Sequence, residues 1–208
     1  MLLSTFIGAV KSQDTTIIYK NTVNSTVTIE TDNGLGSGFF VGENIIATNY
    51  HVMRDASRAI CYSNNSTTKY KIDGIMASDV TSDLILLKVN GLNKPSLKMA
   101  KSLVSPGQRV FVIGSPKGLL ATITDGIVSG LREFKNLSLI QISAPISHGS
   151  SGGPVLNANG ELVGISVAQY TDGQNLNFAI PTSNLETLLK NKITTQAQSV
   201  LLIIQNQS

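Results

Sequence analysis

From Asn24 onward the apolar residues of this chain fall in short runs separated by Gly, Asn, Asp and Pro. That spacing predicts a succession of β-strands rather than alternating strands and helices. The first expected strands are Val27 to Thr31, Gly38 to Val41, Ile45 to Asn49, Arg58 to Tyr62, Lys69 to Met76 and the strongly apolar Leu84 to Val89. Between Asn90 and Gln108 the pattern lapses into polar residues with Gly91, Pro95, Pro106 and Gly107, which reads as a connection between two lobes. A second set follows: Arg109 to Ile113, Ala121 to Ser129, Ser138 to Ser143, Pro154 to Leu156, Glu161 to Ala168 and Leu176 to Ile180. Asn157-Ala158-Asn159-Gly160 is a hairpin signal, because Asn and Gly tolerate positive φ. One helix stands out, near the end, where Leu185, Leu188 and Leu189 share a face and Ser183 with Glu186 forms a capping box.

The chain therefore divides into an N-terminal segment (1–23), a β-rich domain (24–192) and a tail (193–208). Within the domain the lobes are expected at about 24–90 and 109–181, joined by 91–108 and followed by the helix at 183–191. The apolar start, Leu2 to Val10, has two readings: an atypical export signal without its positive n-region, or a plain buried segment. It is too short to span a bilayer. Val200 to Ile204 in the tail is a last strand or a docking segment.

Composition narrows the class. Charged residues make up 14% of the 208 and hydrophobic residues 41%, with 18 glycines, a balance that favours an ordered β-rich globule. The net charge is +3, but the sixteen Lys and Arg are scattered without a stripe or interleaved aromatics, so nucleic acid is not an expected partner. A single cysteine, Cys61, excludes an intramolecular disulfide, and its apolar neighbours predict a buried thiol. Two histidines in all leave little scope for a Cys/His metal site.

The candidate chemistry lies in His148-Gly149-Ser150-Ser151-Gly152-Gly153-Pro154. Glycines around a serine suit a tight turn on which backbone N–H groups converge on a reacting carbonyl oxygen. A serine hydroxyl needs a base, usually a histidine oriented by a carboxylate. His148 sits on the same turn with no obvious carboxylate beside it, whereas His51 closes the run Ile45 to Tyr50 at a strand-to-loop junction. Asp83 directly precedes the most apolar strand, where a carboxylate drawn partly out of water needs a partner; Asp55 and Asp79 are the alternatives. Gly149-Ser150-Ser151-Gly152-Gly153 also fits the nucleophile elbow of α/β-hydrolases. That fold requires a helix after the serine and a later histidine, and neither is present. The order His51, Asp83, Ser151 fits a double-barrel protease instead.

Gly36-Ser37-Gly38-Phe39, Ala47-Thr48-Asn49-Tyr50-His51-Val52, Ser82-Asp83-Leu84-Ile85-Leu86-Leu87, Gly114-Ser115-Pro116-Lys117-Gly118, Gly126-Ile127-Val128-Ser129, Gly149 to Pro154 and Asn177-Phe178-Ala179-Ile180-Pro181 occur in this order over residues 24 to 190. Together they resemble the trypsin-like serine proteases, and within them the protease domain of the HtrA/Deg branch without its PDZ module. The resemblance implies an all-β fold of two six-stranded antiparallel barrels with a short C-terminal helix. It implies a serine endopeptidase acting on polypeptides, without cofactor, metal or integral membrane span. Carried over, Ser151 is the nucleophile, His51 the general base and Asp83 its orienter, with the N–H groups of Gly149 and Ser151 as the oxyanion hole. Ile146, His148, Val167, Ala168 and Gln169 would contact substrate. No carboxylate lies among them, so a small or medium apolar P1 residue is expected.

Three positions depart from the family pattern: Ser150 stands where Asn or Asp is usual, His148 replaces a commoner Pro, and Val167 occupies the place of a serine that supports the aspartate. These departures leave a second reading, a weak or inactive relative that binds peptide in the same cleft. A third, an acyl hydrolase on the same fold, differs only in substrate.

Overall fold

Leu84 to Leu87 are all at most 1% exposed, so this strand is buried on both faces, and the molecule is built around it. Ile85 and Leu87 face one apolar cluster with Val27, Ile29, Phe40, Ile46 and Cys61. Leu84 and Leu86 face another with Phe39, Ala47, Phe111, Ile113, Ile165 and Ile180. A strand that alternates between two cores has no polar face to present, which is why it reads as an unbroken apolar run.

The computed structural model describes residues 15–63, 66, 68–115, 119, 121–134, 137–167 and 176–191. A short helix α1 (Thr15–Thr22) precedes β1 (Thr26–Thr31), β2 (Gly34–Gly42), β3 (Ile45–Asn49), a single helical turn α2 (Tyr50–Met53), β4 (Ala59–Ser63), β5 (Tyr70–Lys71), β6 (Gly74–Asp79) and β7 (Leu84–Lys88). The second half holds β8 (Arg109–Gly114), β9 (Thr122–Phe134), β10 (Leu137–Ile142), β11 (Pro154–Asn157), β12 (Leu162–Val167) and β13 (Asn177–Pro181), then helix α3 over 182–191. All pairings between these strands are antiparallel.

The second half is the expected six-stranded closed barrel, in the order β10-β13-β12-β11-β8-β9. The first half is a seven-stranded sheet, β5-β4-β1-β2-β3-β7-β6, rather than six strands in a closed ring. The difference arises in the expected strand Lys69 to Met76, which divides at Ile72 and Asp73. The Asp73 N–H donates to Lys88 O (2.8 Å) and its carboxylate accepts from the Asn90 N–H (2.7 Å), turning the chain out of one ladder and into the next. Because β5 and β6 form opposite edges, those two residues join the ends of a sheet curled into a half-barrel.

Helix α1 falls in what the hydrophobic pattern left as an undifferentiated N-terminal segment; Ile18 is 2% exposed and joins the core that runs between the halves. The connection 91–108 is likewise more tightly held than its polar composition suggests. Leu97 N–H donates to Phe40 O in the first half, while Leu162 N–H donates to Lys98 O and Ala100 N–H to Leu162 O in the second. Residues 1–14 and 192–208, with the apolar stretches at either end, lie outside the described residues. Among the described residues no helix is long and apolar enough to cross a membrane.

Phe39, Phe40 and Phe111 are fully buried, each contributing about 1.5–3 kcal/mol relative to exposure. Cys61 is fully buried as expected, and burial, aided by the charge of Asp73, raises its thiol pKa to about 12.

Candidate active site

Strand pairing alone brings two of the expected site residues together. In the β3–β7 ladder Thr48 faces Ile85 and Asn49 faces Leu84, so one further step sets Tyr50 opposite Asp83. Tyr50 N–H donates to Asp83 O at 3.0 Å, and the Asn49 amide donates to the same carbonyl at 3.1 Å. Asp83 holds φ +53°, a left-handed backbone that aspartate tolerates better than most residues. It closes a turn in which the Asp79 carboxylate accepts from the Thr81 and Ser82 N–H groups and from the Ser82 hydroxyl.

Both carboxylate oxygens of Asp83 then engage His51. Oδ1 accepts the His51 backbone N–H at 2.8 Å and Oδ2 lies 2.7 Å from Nδ1 of the ring. The two side chains are 18% and 12% exposed respectively. An ionised carboxylate only accepts, so this contact places the ring proton on Nδ1 and leaves Nε2 with the lone pair. His51 sits in the first turn of α2, not in a loop, and a helical turn following the strand supplies the backbone N–H that Oδ1 binds. Of the alternatives, Asp79 is committed to its own turn, and Asp55 is 86% exposed beside Arg54.

Ser151 lies on a turn between β10 and β11, is 6% exposed, and is bound into the first half. The Ser37 N–H donates to Ser151 O at 2.8 Å, and the Ser37 hydroxyl donates to Gly149 O at 2.7 Å. Thr48, three residues before His51, donates its hydroxyl to Ser37 O at 2.7 Å. The Ser151 turn and the His51 strand therefore grip the same residue of β2. Ser150 N–H donates to Ser147 O (2.9 Å), and Gly149 has φ +94° at the third position of that turn. This is a type II geometry that only glycine adopts without strain, and it sets the orientation of the His148–Gly149 peptide.

His148 is exposed at the rim of this turn. Ile146 is half-buried and lines a cavity of about 100 Å³ together with Val112, Thr122, Thr124 and Ser150. Val167 is 1% exposed, and its side chain packs into the core between the halves. Ala168 and Gln169 lie outside the described residues, as do Pro116, Lys117 and Gly118. Composition and spacing did not single out the buried hydroxyls of Ser37, Thr48, Ser115 and Ser166 that pack under the turn, each at most 1% exposed. Ser37, Thr48 and Ser166 lie within strands and Ser115 just after β8, and apart from the quoted motifs that hold the first two and Ser115 nothing in the pattern distinguishes them from other small residues. Among the described residues no group of three or more His, Cys, Asp or Glu side chains is placed to hold a metal.

Residues 36–165 match the family model described as a trypsin-like peptidase domain, a span that includes positions 51, 83 and 151. A putative serine protease HhoB of Synechocystis sp. is 35% identical over 174 residues, covering 78% of this chain and 41% of that protein. A probable periplasmic serine endoprotease, DegP-like, of Pseudomonas fluorescens is 41% identical over 157 residues, 71% of this chain and 32% of that protein. The chain thus spans less than half the length of either curated relative. The crystal structure of the serine endoprotease from Yersinia pestis superposes with a TM-score of 0.76 at 28% identity, covering 85% of this chain and 65% of that one.

Proposed function

The chain belongs to the trypsin-like peptidase family, with relatives of the HtrA/DegP kind, and from that membership we propose that it is a serine endopeptidase working through Ser151, His51 and Asp83. The observation that carries this reading is the two-point grip of Asp83 on His51, on a strand end tied through Ser37 to the Ser151 turn. The Ser151 hydroxyl attacks the scissile carbonyl carbon while His51 Nε2 takes its proton, and Asp83 stabilises the imidazolium that results. The oxygen of the tetrahedral intermediate is received by the N–H groups of Gly149 and Ser151. Collapse breaks the C–N bond, and His51 returns the proton to the leaving amine. Water then repeats the sequence on the acyl-enzyme, with its proton passing through His51 to Ser151.

Residues 24–192 form the catalytic unit in this proposal. The DegP-like relative is named periplasmic; export of this chain, directed by the Leu2 to Val10 stretch, is proposed on that basis. A fluorophosphonate should label Ser151, and Ser151→Ala should abolish both labelling and peptide cleavage. An unlabelled but peptide-binding wild type would make it the inactive relative.

Preference for a small or medium apolar P1 residue belongs to the same proposal, since neither Ile146 nor the turn around it supplies an acidic side chain. Peptides with P1 Val or Ala should be cleaved faster than the same peptide with P1 Arg. Equal or faster cleavage of the Arg peptide rejects the preference and leaves the mechanism standing.

A further inference from the structure

Four carbonyls of the nucleophile turn are held from outside it. Gly149 O accepts the Ser37 hydroxyl and Ser151 O the Ser37 N–H. Ser166 of β12 takes the other two: its hydroxyl lies 2.6 Å from Ser150 O and 3.1 Å from Gly153 O. The Ser166 main chain is bound to the same turn, its N–H donating to Gly153 O (2.9 Å) and its carbonyl accepting the Gly152 N–H (3.0 Å).

A trans peptide points its C=O and its N–H in opposite directions. Holding Ser150 O against β12 therefore aims the Ser151 N–H away from β12, and that N–H is one of the two oxyanion donors in the proposed mechanism. The side chain at position 150 is a serine, too short to reach far for an anchor of its own, and the hydroxyl of Ser166 reaches the backbone of that residue from the neighbouring strand. We propose that Ser166 is a positioning residue for this protease, fixing the direction of the Ser151 N–H through the Ser150 carbonyl. The inference rests on the reading of Ser151 as nucleophile and names a residue that acts through it without touching substrate.

Ser166→Ala removes one oxygen atom and leaves both main-chain bonds between β12 and the turn, so the fold is expected to hold. Three measurements on wild type and variant test the role: kcat and KM on an apolar-P1 peptide, inhibition by a peptidyl boronic acid that forms a tetrahedral adduct on Ser151, and noncovalent binding of the same peptide in a Ser151→Ala background. The expected result is a fall in kcat of about 10- to 100-fold, a matching loss of boronate affinity, and KM and peptide binding changed less than about twofold. Ser166→Cys, with nearly the same volume and a weaker donor, should fall between the two; it also serves if the alanine variant does not fold. A kcat within about twofold of wild type in Ser166→Ala overturns the proposal, as does a loss shared equally by noncovalent peptide binding. A wild type that neither cleaves nor is labelled overturns the underlying reading as well, and does so before any Ser166 variant is compared.

Discussion

Asp83→Asn should lower kcat by about 10⁴-fold while leaving the fold intact. The substitution is nearly isosteric, and asparagine tolerates the φ of +53° at this position as well as aspartate does. What changes is the direction of one hydrogen bond. Oδ2 of Asp83 accepts from the ring nitrogen 2.7 Å away; an amide NH₂ in its place donates to that nitrogen and drives the ring proton to Nε2. An imidazole protonated there has no lone pair with which to receive the Ser151 proton. The His51 N–H bond at Oδ1 can survive on the amide oxygen, and Asn49 and Tyr50 bind the backbone carbonyl, which is untouched. Steady-state kinetics with a thermal melt alongside are the measurement. A variant within about tenfold of wild type would remove Asp83 from its orienting role.

Gly152→Ala should lose at least about 3 kcal/mol of stability, combining a strained backbone with overpacking. A Cβ at position 152 would lie 2.2 Å from Thr48 Oγ1 and 2.3 Å from Ser37 O, and φ there is +83°. None of these neighbours can give way cheaply. Ser37 O is backbone, and the Thr48 hydroxyl is bonded to it at 2.7 Å. Gly107→Ala separates the two contributions: φ is similar, +88°, but nothing lies within 4 Å of the added carbon, so only the backbone strain of about 1 kcal/mol is expected. Denaturant unfolding of both variants measures the difference. If they lose the same amount, the close approach of the Ser151 turn to β2 and β3 is not what position 152 protects.

Much of this was legible along the chain. Asp83 could be chosen from eight aspartates because a carboxylate against an unbroken apolar strand needs a partner, and it has one in His51. The hydrophobic pattern located the strands of both halves, with β5 and β6 read as one run. It did not show the break at Ile72 and Asp73, where the Asp73 N–H donates to Lys88 O and the Asp73 carboxylate accepts the Asn90 N–H, both partners being distant in the chain. The turn α2 and helix α1 span too few residues to establish a helical period. The least legible part was the layer of hydroxyls under the Ser151 turn. A buried serine or threonine in a β-strand looks like any other small residue until its partner is known, and Ser37 and Gly149 are separated by 112 positions. The expected departure at Ser150 was visible, but the support it calls for comes from Ser166, on another strand.

Because Leu84, Leu86, Phe39 and Ala47 of the first half share one apolar cluster with Phe111, Ile113, Ile165 and Ile180 of the second, the two halves are not interchangeable parts. A chimera that joins the first half of a relative to the second half of this chain would meet a mismatched seam, and with it a displaced strand end bearing Asp83. Recombination between family members should succeed only where the exchanged segment carries its facing side chains along with it.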